Sequence, residues 1–240
     1  MFNEIFLMKT FSLFVVLTSF FGNYTKASEC VILVHGLARS EYSFSKLESV
    51  LSDSGYVVIN NSYPSTKHDI ETLAEDFIPL SIKECPTSSD IHFVTHSLGG
   101  ILVRQYLSTN SVANLGRVLM LAPPNKGSEI TDELKDNFWY KLVNGPAGAQ
   151  LGTDSTSAPN QQGPAHFEVG IIAGTKTVNP ILSTMLPNPD DGKVSVESTK
   201  LEGMTDHIEM PVSHTFMMRD DDVLEQVIYF LNNGQFNRSE

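Results

Sequence analysis

The sequence predicts an α/β fold, a mostly parallel sheet with helices on both faces. Short apolar runs alternate along the chain with longer segments in which apolar residues recur at helical spacing. Runs such as residues 31–34 are apolar throughout, which is typical of strands buried on both faces of a parallel sheet. The length of 240 residues and a hydrophobic content of 41% suit one domain with a sizeable core.

Each element follows from its local pattern. Apolar runs predict strands at residues 31–34, 56–59, 91–94, 118–121, 169–174 and 208–210. Helical faces lie at residues 44–51, which Gly55 ends, at 70–77 behind Asp69 with a kink at Pro79, and at 101–107. A last helix, at 223–231, is predicted to be capped by Asp222. The tract 144–163 is rich in Gly, Ser, Thr, Asn and Gln, and its composition predicts a loop.

The first 28 residues have the composition of a secretory signal peptide. Lys9 precedes the apolar run 11–21, and small residues approach a cut near Ala27 or Ser28. We therefore expect cleavage after this segment, a secreted or periplasmic protein, and a single domain over residues 29–240. An uncleaved N-terminal membrane anchor is the alternative, although the apolar run is short for a transmembrane helix.

The only two cysteines, Cys30 and Cys85, both follow the expected cut. In an oxidising compartment an even number of cysteines indicates a disulfide, and two free thiols are the alternative. Each lies just before a predicted strand. If those strands are parallel neighbours, both cysteines lie at the end of the sheet away from the active edge.

Charge and residue spacing exclude several classes of function. The formal net charge is -12 and the basic residues are scattered, which argues against a partner with a phosphate backbone. No His, Asp or Glu set has metal-ligand spacing, and no cofactor is predicted. The run Asp220-Asp221-Asp222 is better explained as a helix N-terminus, where the helix dipole favours acids.

The most informative segment is Thr95-His96-Ser97-Leu98-Gly99. It joins an apolar strand to an amphipathic helix, which is the context required of a nucleophile elbow with the pattern G-x-S-x-G. Ser97 is then the nucleophile, and Thr95 replaces the first glycine of the pattern. The alternative is a serine that only caps the following helix.

A nucleophilic serine requires a base and an acid that orients the base. His214 follows the last predicted strand, in a loop that could reach the sheet edge, whereas His207 precedes that strand. The acid is expected after the strand that ends near Gly174, where Asp190 and Asp191 are adjacent. We favour Asp191, and the alternative is a pair of solvated turn residues.

The segments 31–37, 95–100, 191–198 and 212–214 together resemble the small bacterial lipases and esterases of the α/β-hydrolase superfamily. This resemblance implies the α/β-hydrolase fold and a Ser97-Asp191-His214 triad. It also implies an oxyanion hole formed by the backbone N–H groups of Leu37 and Leu98. The expected activity is hydrolysis of small-molecule or lipid esters through an acyl-enzyme.

Substrate preference is less constrained by the sequence. The aromatic-rich group Phe138, Trp139, Tyr140 and Leu142 could form an acyl rim within a small lid at about 129–166, with transient contact to a lipid interface, or could be ordinary core packing. An amidase, thioesterase or acyltransferase could use the same triad. A noncatalytic hydrolase-fold binding protein is the alternative from a different class.

Overall fold

The computed structural model describes residues 29–238, in which six strands form one parallel sheet of order β2-β1-β3-β4-β5-β6. The strands are β1 Cys30–Val34, β2 Val57–Ile59, β3 Ile91–His96, β4 Leu115–Leu121, β5 Val169–Gly174 and β6 Asp206–Met210. All six lie where the apolar runs predict strands. The predicted signal peptide, residues 1–28, lies outside the described residues.

Helices cover both faces of this sheet. They are α1 Ser45–Asp53, α2 Ile70–Glu84, α3 Leu98–Thr109, α4 Glu129–Leu134, α5 Phe138–Ala149, α6 Ala158–Gln161, α7 Pro180–Ser183, α8 Val196–Thr199 and α9 Asp221–Asn233. Successive side chains of a strand point to opposite faces, so Ile32 packs with α2 and α3 while Val31 packs with α1 and α9. The predicted parallel α/β architecture is confirmed.

Two local predictions were wrong. Asp220, not Asp222, caps α9, because its side chain accepts the N–H of Val223 at 3.2 Å and leaves Asp222 inside the first turn. The tract predicted as a loop contains the end of α5 and all of α6. Gly145, with φ of 65°, joins two helical pieces within α5, and Pro146 begins the second. The residues that signal a loop by composition therefore mark a break between helices.

A disulfide joins Cys30, the first residue of β1, to Cys85 at the end of α2, with the Cα atoms 5.8 Å apart. The predicted pairing is thus present, and it lies at the N-terminal end of the strands, opposite the edge that carries Ser97. Within residues 29–238, no helix combines the length and the hydropathy needed to cross a bilayer.

Candidate active site

Ser97 occupies a strained turn between β3 and α3. Its backbone has φ of 53° and ψ of -121°, a conformation that a residue with a side chain adopts only at an energetic cost. The Ser97 side chain makes no capping hydrogen bond to α3, and it lines a cavity instead. The alternative of a simple helix-capping serine is therefore wrong.

Glycines allow neighbouring segments to approach this turn closely. A Cβ on Gly99 would overlap the carbonyl of Val34, and a Cβ on Gly36 would lie 2.9 Å from Nδ1 of His96. The threonine that replaces the first glycine of the motif is accommodated in a similar way. A Cβ on Gly100 would lie 3.2 Å from the hydroxyl of Thr95, so Gly100 provides the space that Thr95 occupies.

His214 and Asp191 are in direct contact. Nδ1 of His214 lies 2.7 Å from Oδ2 of Asp191, and both side chains are almost fully buried. The other carboxylate oxygen accepts the backbone N–H groups of Lys193 and Val194 at 3.0 and 2.8 Å. Because a carboxylate accepts the hydrogen bond, Nδ1 carries the proton and Nε2 of His214 is free to act as a base. His214 and Ser97 line the same cavity.

Asp190 has different partners from its neighbour. Oδ1 of Asp190 accepts the N–H of Gly192 at 2.7 Å, and Oδ2 accepts the hydroxyl of Ser183 at 2.6 Å. Asp190 and Asp191 are both buried, so the alternative of two solvated turn residues is wrong. Asp190 connects its loop to α7 through Ser183, whereas Asp191 contacts His214.

His96 contributes a contact that the sequence does not reveal. Its Nε2 lies 3.0 Å from the backbone carbonyl of His214, and the two rings are 4.6 Å apart. Burial, followed by the proximity of His214, lowers the pKa of His96 well below its ordinary value, so the ring is neutral. Nε2 therefore donates to the carbonyl and holds the loop that carries His214. The 118 positions between the two residues explain why no local pattern indicates this contact.

The loop after β1 is held by His35 and Tyr63. The N–H of Tyr63 donates to Nε2 of His35 at 3.2 Å, the Tyr63 hydroxyl donates to the His35 carbonyl at 2.5 Å, and the rings stack at 4.1 Å. These contacts orient the next residues, including Leu37, which lines the cavity. Leu98 is the first residue of α3, where backbone N–H groups lack partners within the helix.

Solved structures share this architecture, whereas no protein-family model matches the chain. The chain is similar to the mature lipase BlEst2 of Bacillus licheniformis, with 17% identity, coverage of 85% of this chain and 92% of that one, and a TM-score of 0.67. It is also similar to the metagenomic carboxyl esterase MGS0156, with 18% identity, 79% and 65% coverage and a TM-score of 0.64. The chain is similar as well to the phospholipase PlaB of Legionella pneumophila, with 19% identity and a TM-score of 0.59. That match covers 72% of this chain and 45% of PlaB.

The protein has the α/β-hydrolase fold. The predicted fold is thus confirmed. At these identities the similarity concerns the fold alone, so the chemistry has to be argued from the side chains of this chain.

The cavity of this α/β-hydrolase fold has a volume of about 340 Å³. We call residues 129–149, which comprise α4, α5 and the turn between them, the covering segment. It contributes aliphatic side chains to the cavity wall, and Tyr140 joins them with its hydroxyl 2.8 Å from that of Thr131. Of the predicted rim residues, only Tyr140 lines the cavity. Phe138, Trp139 and Leu142 are 62–69% exposed on the outer surface.

The aliphatic lining of the cavity was missed by the sequence reasoning. It consists of Leu37, Ile130, Leu134, Val143, Leu151, Leu182 and Val194. These residues come from separate loops and short helices, so no single stretch of sequence has a pattern that would have revealed them.

The remaining candidate groups lie elsewhere. Nε2 of His207 lies 3.0 Å from the Thr199 hydroxyl near the start of β6, and His166 is exposed at the opposite end of the sheet from Ser97. Across the described part of the chain, no group of three or more His, Cys, Asp or Glu side chains is arranged to hold a metal ion.

Proposed function

We propose that this protein hydrolyses carboxylic esters, with Ser97 as nucleophile, His214 as general base and Asp191 as the carboxylate that orients the base. The observation that carries this proposal is the buried pair of His214 and Asp191, 2.7 Å apart, at the cavity that Ser97 lines. The Ser97 backbone is strained and its side chain makes no capping bond, as expected of a nucleophile.

Acylation begins when Oγ of Ser97 attacks the ester carbonyl carbon and its proton passes to Nε2 of His214. The imidazolium that forms is stabilised by Asp191, which keeps Nδ1 as the donor. The tetrahedral intermediate then expels the alcohol oxygen, which takes the proton from Nε2. The acyl group remains on Ser97 as an ester.

Deacylation repeats these steps with water. His214 takes a proton from water as the water oxygen attacks the acyl carbon, and the proton returns to Oγ of Ser97 when the intermediate collapses. The products are a carboxylic acid and the free serine. No reactant other than ester and water is required.

The negative charge on the carbonyl oxygen needs donors at both stages. We assign this role to the backbone N–H groups of Leu37 and Leu98. The side-chain contacts of His35 and Tyr63 hold the loop that carries Leu37, and Leu98 offers an N–H at a helix N-terminus. Fixed donors of this type contribute roughly 3 to 4 kcal/mol to transition-state stabilisation.

The substrate is proposed to be an ester with an apolar acyl group. The surface of the cavity is more apolar than polar, and aliphatic side chains contribute to it from several sides. Phe138, Trp139 and Leu142 on the covering segment and Ile181 on α7 are exposed large apolar side chains, and we propose that they contact a lipid interface transiently. In this proposal the covering segment is a small lid within a single domain of residues 29–240. The disulfide is compatible with secretion into an oxidising compartment.

Hydrolysis of 4-nitrophenyl esters from acetate to palmitate tests this proposal, with protein purified after expression of the full chain. We expect release of 4-nitrophenol by the parent and a loss of roughly a millionfold in kcat for Ser97→Ala. Ser108→Ala is the matched control, because Ser108 is exposed on α3 and lies outside the cavity. A folded parent that hydrolyses none of these esters would contradict the proposal, and so would a Ser97→Ala variant as active as the control.

A further inference from the structure

Two cationic side chains lie at the mouth of the cavity. Arg39 follows the loop of Leu37, and Lys193 lies two residues after Asp191; both side chains are exposed and both line the cavity. Among residues 29–238, no carboxylate lies within ion-pair distance of either cation. This local excess of positive charge contrasts with the formal net charge of -12 for the whole chain.

The two cations are close enough to influence each other. The pKa of Lys193 is lowered, first by partial desolvation and then by the charge of Arg39, and the carboxylate of Asp191 opposes this only in part. The charges of Lys193 and Arg39 also contribute to the lowered pKa of His96, the residue before Ser97. Asp191 is engaged by His214 and by two backbone N–H groups, so the repulsion between the two like charges would be relieved further by a bound anion.

The two cations lie on one side of the cavity lining, away from the covering segment. The covering segment supplies the aliphatic residues Ile130, Leu134 and Val143 and no cation, whereas each cation lies on a loop that supplies one aliphatic residue, Leu37 or Val194. In the proposed reaction His214 protonates the departing alcohol, so the alcohol half of the ester lies beside His214. Lys193 is two residues after Asp191, which contacts His214, and it lines the same cavity as His214, so the alcohol half is the part of the ester that the positive charge is best placed to meet.

We propose that Arg39 and Lys193 bind an anionic group, a phosphate or a carboxylate, on the alcohol half of the ester substrate. This inference rests on the proposed function. The bond between the carbonyl carbon and the alcohol oxygen breaks, that oxygen takes the proton from His214, and the alcohol leaves with its anionic group unchanged. Water then releases the acyl group from Ser97, and no other reactant is needed.

Paired monomeric substrates test the inference. The phosphate pair is dihexanoyl glycerophosphate against dihexanoylglycerol, and the carboxylate pair is 3-carboxyphenyl butanoate against phenyl butanoate, each below its aggregation concentration. We expect the parent to favour the anionic member of at least one pair in kcat/KM, and the favoured pair identifies the anion. The preference should weaken as NaCl is added, because exposed charges are screened.

Substitutions then assign the preference to the two cations. The double variant Arg39→Gln/Lys193→Gln removes both positive charges. Its ratio of kcat/KM for the anionic member to kcat/KM for the neutral member should fall by about tenfold for each cation removed. This is the size expected for a charge-assisted hydrogen bond. Lys83→Gln is the matched control, because it removes one exposed positive charge at the end of α2, away from the cavity. We expect that control to keep the ratio of the parent.

Two results would overturn the inference while leaving ester hydrolysis in place. One is a parent that hydrolyses the neutral esters and shows no preference for either anionic member. The other is a double variant that keeps the preference of the parent. A folded parent that hydrolyses neither pair would instead overturn the proposed function, and the inference with it.

Discussion

The two sides of the cavity are built in opposite ways. The loops of Ser97, Asp191 and His214 hold buried polar groups in fixed contacts, such as the carboxylate of Asp191, which has three hydrogen-bonded partners. The covering segment instead places Phe138 and Trp139 in solvent. The difference indicates that internal hydrogen bonds determine the geometry of the side that carries Ser97, Asp191 and His214. The exposed apolar side chains of the covering segment have no such internal contacts to explain them, and we relate them to the molecules that the protein binds.

The largest expected effect separates the two adjacent carboxylates. In Asp191→Asn the orienting contact to His214 is altered, and kcat/KM should fall by about ten-thousandfold, as for comparable triads. Asp190→Asn should keep most of the activity but lower the free energy of unfolding by about 1 to 3 kcal/mol, because its partners Gly192 and Ser183 lose a buried acceptor. Ester hydrolysis and urea unfolding of both variants provide the measurement. Equal losses of activity would contradict the assignment of Asp191.

An added methyl group should have a larger effect beside Ser97 than at an open position on the surface. Gly99→Ala inserts a methyl group against the carbonyl of Val34, and we expect a loss of about 1 to 3 kcal/mol in unfolding free energy together with reduced activity. Gly163→Ala is the control, because nothing lies within 4 Å of its added Cβ and only the strain of its φ of 69° remains. Thermal unfolding and ester hydrolysis of both variants check the difference, because the strain at Gly163 affects stability alone whereas the change at Gly99 should also reduce activity. A Gly99→Ala variant as stable and active as the parent would be inconsistent with the close approach.

A smaller effect is expected on the covering segment. Replacing exposed Phe138 and Trp139 by Ser removes apolar area that we propose to contact lipid, and the ratio of rates on emulsified and dissolved esters should fall about tenfold. Leu80→Ser is the control, since Leu80 is also an exposed large apolar side chain but lies on α2, away from the cavity. An unchanged ratio in the double variant would remove the interfacial role of this segment.

The smallest effect concerns the pH dependence of stability. Burial lowers the pKa of His96 in the folded state, so protonation favours the unfolded chain, and stability present above about pH 6.5 is lost as the pH falls. In His96→Gln the slope of unfolding free energy against pH below that value should decrease by up to about 1.4 kcal/mol per pH unit, the contribution of one proton. Urea unfolding from neutral to mildly acidic pH measures it. A slope equal to that of the parent would show that His96 is not the buried neutral group.

Short-range patterns account for what the sequence could predict. The bounds of β5 match the apolar run 169–174, since a strand buried on both faces is apolar throughout. Parallel strands end at one edge, which is why Asp191 and His214 could be expected to lie close together before any distance was known. The sequence could not predict the contact of His96 with His214 or the proximity of Arg39 to Lys193. Each of these pairs joins two loops that are distant in sequence. The end of α5 was missed because Gly145 and Pro146 indicate a loop by composition but join two helical pieces.

Labelling with a fluorophosphonate probe tests the central claim most directly, because the probe reacts with a serine only when a base activates it. The account predicts that the parent is labelled at Ser97, that Ser97→Ala is not labelled, and that His214→Ala is labelled much more slowly. A folded parent that is not labelled would contradict the account and favour a noncatalytic binding protein with this fold. Labelling that persists in Ser97→Ala would place the reactive serine elsewhere in the chain.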